Sequence, residues 1–132
     1  TEISFENGVF NAIGQNGWFI QNGRKAYYDQ QPVCTAAMVQ TFSAAYHVTK
    51  NKLYAQNALT AFKWFLGLNA LRQMMYNELS SGCHDGLGEV TVNMNQGAES
   101  TISYLLARLT IEELKNVERK VSPLPEIQRG VS

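Results

Sequence analysis

The sequence predicts an all-α domain built from αα-hairpins, and three observations carry that prediction. Two helical patterns of different character follow one another across the short turn Thr49-Lys50-Asn51. Pro32 and Gly67 stand where a first helix should open and a second should stop. A further amphipathic pattern begins near residue 98, behind a glycine-rich and amide-rich stretch at 81–97.

Taken in order, residues 1–13 place Phe5, Val9, Phe10 and Ile13 at helical spacing, so a short helix is expected there, interrupted by Asn7 and Gly8. Residues 14–23 have glycines bracketing Trp18, Phe19 and Ile20, which reads as a loop or short hairpin carrying an aromatic anchor. Trp18 is then either a plug over the core or a sugar-stacking platform, since an indole face suits the apolar face of a pyranose. Asp29, Gln30 and Gln31 sit just ahead of the helix opened by Pro32, because a pre-proline residue is pushed out of helical geometry. Asp29 can be a solvated cap, or, with two carboxamides and Tyr27 and Tyr28 beside it, part of a polyol-binding group.

The first helix, 33–49, is apolar on nearly every side, the mark of burial by more than one neighbour. His47 near its end is read as a helix-terminal group rather than a ligand. The second, 52–66, is one-sided, with Ala55, Ala58, Leu59, Phe62, Phe65 and Leu66 on its apolar stripe. Together they form an antiparallel hairpin, an inner helix followed by an outer one. Residues 70–79 are left open between helix and extended chain. The last helix is expected over about 98–117, with Ala98, Ile102, Leu105, Leu106 and Leu109 inward, capping oxygens from residues 93–96, and Glu99 in its first turn. Ser122-Pro123-Leu124-Pro125 ends it, so the domain is assigned to 1–121 and a tail to 122–132.

Composition narrows the function. An apolar fraction of 45% with 17% charged residues is that of a globular domain rather than a disordered one. Eleven basic and eleven acidic residues cancel, which removes the electrostatic footprint of a nucleic-acid binder. No apolar run approaches the ~20 residues of a bilayer span. Cys34 and Cys83 are far apart and form no CxxC motif, so a reduced, cytoplasmic setting is expected. There is no phosphate-binding glycine loop, dinucleotide fingerprint or serine elbow, and no cofactor is expected. The chain opens on Thr1, as a processed or excised chain would.

The carboxylates Asp29, Asp85, Glu89 and Glu99 all lie in or beside loops that precede helices. Were those helix starts to share one end of the domain, a pair could perform glycoside hydrolysis, one group protonating the leaving oxygen and the other ionised. The bland alternatives are an Asx turn for Asp85 and a first-turn charge for Glu99. Adjacent Cys83, His84 and Asp85 rarely point at one centre, so a cysteine nucleophile or metal site is set aside.

Four motifs in order, Asp29-Gln30-Gln31-Pro32, the stretch Trp64-Phe65-Leu66-Gly67-Leu68-Asn69, Gly82-Cys83-His84-Asp85-Gly86-Leu87 and Asn95-Gln96-Gly97-Ala98-Glu99-Ser100-Thr101, carry a family resemblance. The chain resembles the C-terminal part of bacterial six-hairpin (α/α) toroid domains associated with group 1 glycosyltransferases. Ser81 stands where that family usually has glycine, and His84 where an aromatic commonly follows the cysteine. The resemblance implies an incomplete helical toroid in this chain, with helix ends forming a carbohydrate-handling funnel. It also implies partners for the apolar flanks, either the rest of a parent toroid or a second copy. The expected site is Asp85 and Glu99 as acid/base pair, with Trp18, Asp29, Gln30, Gln31, His84, Asn95 and Gln96 binding carbohydrate and no metal. The competing readings are a non-catalytic helical scaffold, a glycoside hydrolase in its own right, and an epimerase or lyase.

Overall fold

A computed structural model describes residues 4–121, and the tail expected at 122–132 lies outside the described residues. The all-α expectation is corrected. Three helices, α1 (Pro32–Thr49), α2 (Lys52–Phe62) and α3 (Ala98–Val121), are joined by three two-stranded antiparallel sheets among the described residues. The domain is therefore mixed α and β. Its strands are two residues long, too short to leave any periodicity in the sequence.

The first sheet replaces the helix expected over 1–13. β1 (Phe5–Glu6) pairs with β2 (Val9–Phe10) around Asn7 and Gly8, both at positive φ of 53° and 76°. That is the Asn-Gly hairpin turn, whose backbone twist suits the strands it joins. Pairing Phe5 with Phe10 puts their rings 5.4 Å apart, and Phe5 also meets Phe42 of α1 at 5.6 Å. The aromatic residues that fit a helical stripe thus share one face of a hairpin.

Residues 11–31 then fold back on themselves. Trp18 accepts the Ala26 amide, Phe19 bridges Lys25, and the Gly23 amide closes a turn onto Ile20, so the hairpin reading of this loop holds with a later far arm. Gly14 packs so tightly on the Tyr28 carbonyl that a Cβ would stand 2.1 Å from its oxygen.

α1 opens on Pro32, behind Gln31 at φ −112° and ψ 144°, as the pre-proline restriction requires. It buries one face, Thr35, Ala36, Val39, Phe42, Ser43 and Tyr46, and leaves Val33 and Val48 exposed, rather than being covered all round. The Asn51 side chain accepts the Leu53 amide at 3.0 Å and starts α2. Ala55, Ala58 and Phe62 face inward as expected, and Ala61 joins them. A 3₁₀ turn over Lys63–Leu66 finishes this segment, which rotates Leu66 outward, and Gly67 at φ 101° stops it.

β3 (Tyr76–Asn77) pairs with β4 (Gly82–Cys83), and β5 (Gly86–Leu87) pairs with β6 (Val92–Asn93). The glycine-rich stretch is therefore two small ladders in series. Reciprocal amide bonds of 2.9 Å between Gln30 and Leu87 fasten the second to the loop ahead of α1.

α3 begins at residue 98 as expected, but its rotation differs. Ile102, Leu105, Leu106 and Leu109 are all more than two-fifths exposed, while Ser100, Ser103, Tyr104, Ala107, Ile111 and Leu114 are buried. Small residues at 100, 103 and 107 allow close approach of α1, against which α3 packs. Tyr104 stacks on Tyr76 at 4.2 Å and meets Phe62 and Phe65, so the aromatic core takes the place assigned to the leucines. No helix of the described residues is long and apolar enough to cross a membrane.

Candidate functional site

The loop ahead of α1 and the β5/β6 hairpin ahead of α3 meet over a polar cavity of about 370 Å³. It is lined by Gln15, Asp29, Gln31, Asp85, Gly86, Gly88, Thr91 and Asn93. That volume lies within the range of small-ligand sites. The Gln30–Leu87 bridge sets the distance between its two walls. Gly88 belongs to the wall for a steric reason: a Cβ there would stand 2.9 Å from the Thr91 carbonyl oxygen and 3.4 Å from Asp29 Oδ1. The Asp29 carboxylate therefore lies against the β5/β6 turn, within reach of the space that Asp85 also borders.

Asp85 is the most constrained of these groups. Its Oδ1 accepts the Gly97 amide and the Ser100 hydroxyl, each at 2.7 Å, and its own amide donates to the Asn95 carbonyl at 2.8 Å. The capping oxygen of α3 thus comes from residue 85, not from residues 93–96. The Ser100 hydrogen bond first, then the Gly97 amide, hold its carboxyl below the usual aspartate range against the opposing effect of burial, with a lesser contribution from His84. An ionised Asp85 suits a base, a nucleophile or a charge stabiliser better than an acid.

The expected site residues divide into three groups. Asp29, Gln31 and Asp85 are brought together at the cavity. Gln30 is fully buried: its Nε2 donates to the Tyr27 carbonyl at 3.0 Å and its Oε1 accepts the Trp64 indole N–H at 2.8 Å. His84 is buried with Nδ1 3.3 Å from the Met94 carbonyl oxygen. Gln96 Oε1 accepts the Ser80 hydroxyl at 2.6 Å, and Asn95 contributes its backbone carbonyl to Asp85. These four hold the loops in shape.

Trp18 and Glu99 lie elsewhere. Trp18 is 57% exposed and borders a second, apolar cavity of about 480 Å³ with Phe10, Phe19, Cys34 and Met38. Glu99 is exposed in the first turn of α3, outside the polar cavity's lining; burial first, and then the Glu99 charge, push the Cys34 thiol up. The second carboxylate at the cavity is therefore Asp29, not Glu99.

Sequence reasoning passed over Gln15 and Thr91, which carry no motif, and treated Asn93 only as a cap. The Cys83 thiol is fully buried, and burial plus the Asp85 charge push its pKa up to about 12, far from a reactive thiolate.

Two carboxylates and three carboxamides around one concavity can both donate to and accept from the hydroxyls of a polyol. No protein-family model matches the chain, and no curated protein matches it significantly.

Proposed function

We propose that this domain binds or acts on carbohydrate through the polar cavity, as part of a glycosyltransferase-associated protein. One observation carries the reading: Asp29, Gln31 and Asp85, three residues nominated for carbohydrate handling from their motifs, converge on one concavity with Gln15 and Asn93. A site leaves carboxylates open at a concave surface, whereas a set of helix caps turns its polar groups into mutual hydrogen bonds. Asp29 is exposed at the cavity, and both side-chain hydrogen bonds of Asp85, itself a lining residue, fall on Oδ1. If the domain hydrolyses glycans, Asp85 is the ionised partner and Asp29 the group facing it. A cytoplasmic, reducing compartment belongs to this reading, supported by free thiols at Cys34 and Cys83.

The test is oligosaccharide binding and turnover by folded Asp29→Asn and Asp85→Asn variants. Loss of binding or turnover in either supports the reading, and unchanged behaviour in both refutes it.

A second reading has its own observation. Gln30, His84 and Gln96 are spent on internal bonds, and α3 exposes Ile102, Leu105, Leu106 and Leu109 as one apolar stripe. Such a stripe fits a scaffold that assembles with another copy or another helical segment. Light scattering over a concentration series separates the two: concentration-dependent association lost in Leu109→Lys, with no glycan bound at any concentration, favours the scaffold.

A further inference from the structure

We infer that the polar cavity selects sugars carrying a protonated amine and rejects anionic ones, sugar phosphates and nucleotide sugars included. This rests on the carbohydrate reading above and specifies its ligand class.

Two independent features of the cavity point the same way. The first is its charge. Asp29 and Asp85 are the charged side chains of its lining, and no Lys, Arg or His is among the described residues that line it. Lys25, a cation of the neighbouring loop, is drawn to Glu6 at 3.6 Å. A bound amine would meet the Asp29 and Asp85 carboxylates, while a phosphate or uronate would face two like charges.

The second feature is the state of the backbone donors. Anions are usually held by unsatisfied amides at a helix start or in a turn. Here several of those donors are removed or engaged. α1 opens with Pro32, which has no N–H. At α3 the Gly97 amide already donates to the Asp85 carboxylate. Around the rim, the amides of Gln15, Gln30, Asp85, Leu87 and Gly88 all donate to backbone carbonyls. These engaged amides add to the charge in disfavouring an anion. Gln15, Gln31 and the Asn93 side-chain amide nitrogen, its oxygen already accepting the Asn95 amide, remain to read the neutral hydroxyls of the same ring.

The experiment is a glycan array presenting gluco-, galacto- and manno-configured oligosaccharides, each backbone in amine, N-acetyl, hydroxyl and carboxylate forms, at about pH 6, below the ~7.7 of an ordinary α-amino group. The amine form of a bound backbone should bind about five-fold or more tightly than its hydroxyl twin. Its carboxylate twin should bind most weakly, and the spread should shrink as salt is raised. Asp29→Asn should bring the amine and hydroxyl forms close to parity, whereas Glu113→Gln, which neutralises an exposed α3 carboxylate away from the cavity, should keep the preference. Hydroxyl, N-acetyl or carboxylate forms binding as tightly as the amine form would overturn this inference and leave the carbohydrate reading standing. Equal loss of preference in Glu113→Gln would overturn it too, as diffuse attraction. Binding of no glycan in any form would bring down the carbohydrate reading and this inference with it.

Discussion

Replacing Asp85 with alanine removes the one acceptor that both starts α3 and holds the β5/β6 hairpin against it. The Gly97 amide and the Ser100 hydroxyl each lose a 2.7 Å bond to a charged oxygen. Ser100 is buried, so its hydroxyl has little access to replacement water. Bonds to charged groups contribute about 1.5–3 kcal/mol each. Gly97 is only partly buried and open to solvent, so we take the lower end for one bond and discount the other to near zero. Losing the negative charge at the helix start adds about 0.3–1 kcal/mol. The expected cost of Asp85→Ala is about 2–2.5 kcal/mol in urea unfolding at neutral pH. Asp85→Asn, which keeps an oxygen acceptor, should cost about 1 kcal/mol or less.

The pH dependence fixes the sign. The folded Asp85 carboxyl lies below its unfolded value, so its stabilisation is fully present above the unfolded aspartate pKa of about 3.9 and is lost as pH falls through the folded value. The stability gap between wild type and Asp85→Ala should therefore be constant at pH 5–8 and narrow below about pH 4. A gap under about 0.5 kcal/mol at neutral pH, or one that widens on acidification, would refute the assignment of Asp85 as the α3 cap.

Two further perturbations test the frame that holds the cavity. Gly14→Ala drives a Cβ to within 2.1 Å of the Tyr28 carbonyl oxygen, backbone that has nowhere to go, and should cost about 3 kcal/mol by thermal or urea unfolding. Trp64→Phe leaves the fully buried Gln30 Oε1 without its 2.8 Å donor and should cost about 1–3 kcal/mol; a double-mutant cycle with Gln30→Leu should recover part of that loss.

Helices were legible in this sequence because their ends are written in single residues. Pro32, Asn51 and Gly67 mark their ends where expected. The faces were less legible. α3 turns Ser100 and Ser103 inward and four large aliphatics outward, since a hydroxyl donated to Asp85 fixes its first turn in a way hydrophobic spacing does not encode. The all-α reading failed at Asn7-Gly8, a local hairpin signal that outweighed four residues at helical spacing. It failed again at 76–93, where pairing is decided by contacts across sequence rather than by alternation.

The site was half legible for the same reason. Asp29 and Asp85 stand out because each precedes a helix and the two loops are bridged by Gln30 and Leu87. Gln30 looks like a ligand group in one dimension and is a buried tie in three, a difference set by the Trp64 indole 34 residues away. Glu99 neighbours the Ser100 that Asp85 holds, yet it lies outside the cavity's lining, where its charge acts on Cys34 of α1.

The most direct test is the amide shift map of the isotope-labelled domain titrated with the tightest-binding oligosaccharide from the array. The largest changes should fall on Gln15, Asp29, Gln31, Gly86, Gly88 and Asn93, around the polar cavity. Changes confined to Trp18, Phe19 and Ile20, or to the exposed stripe from Ile102 to Leu109, would contradict the placement of the carbohydrate site between Asp29 and Asp85.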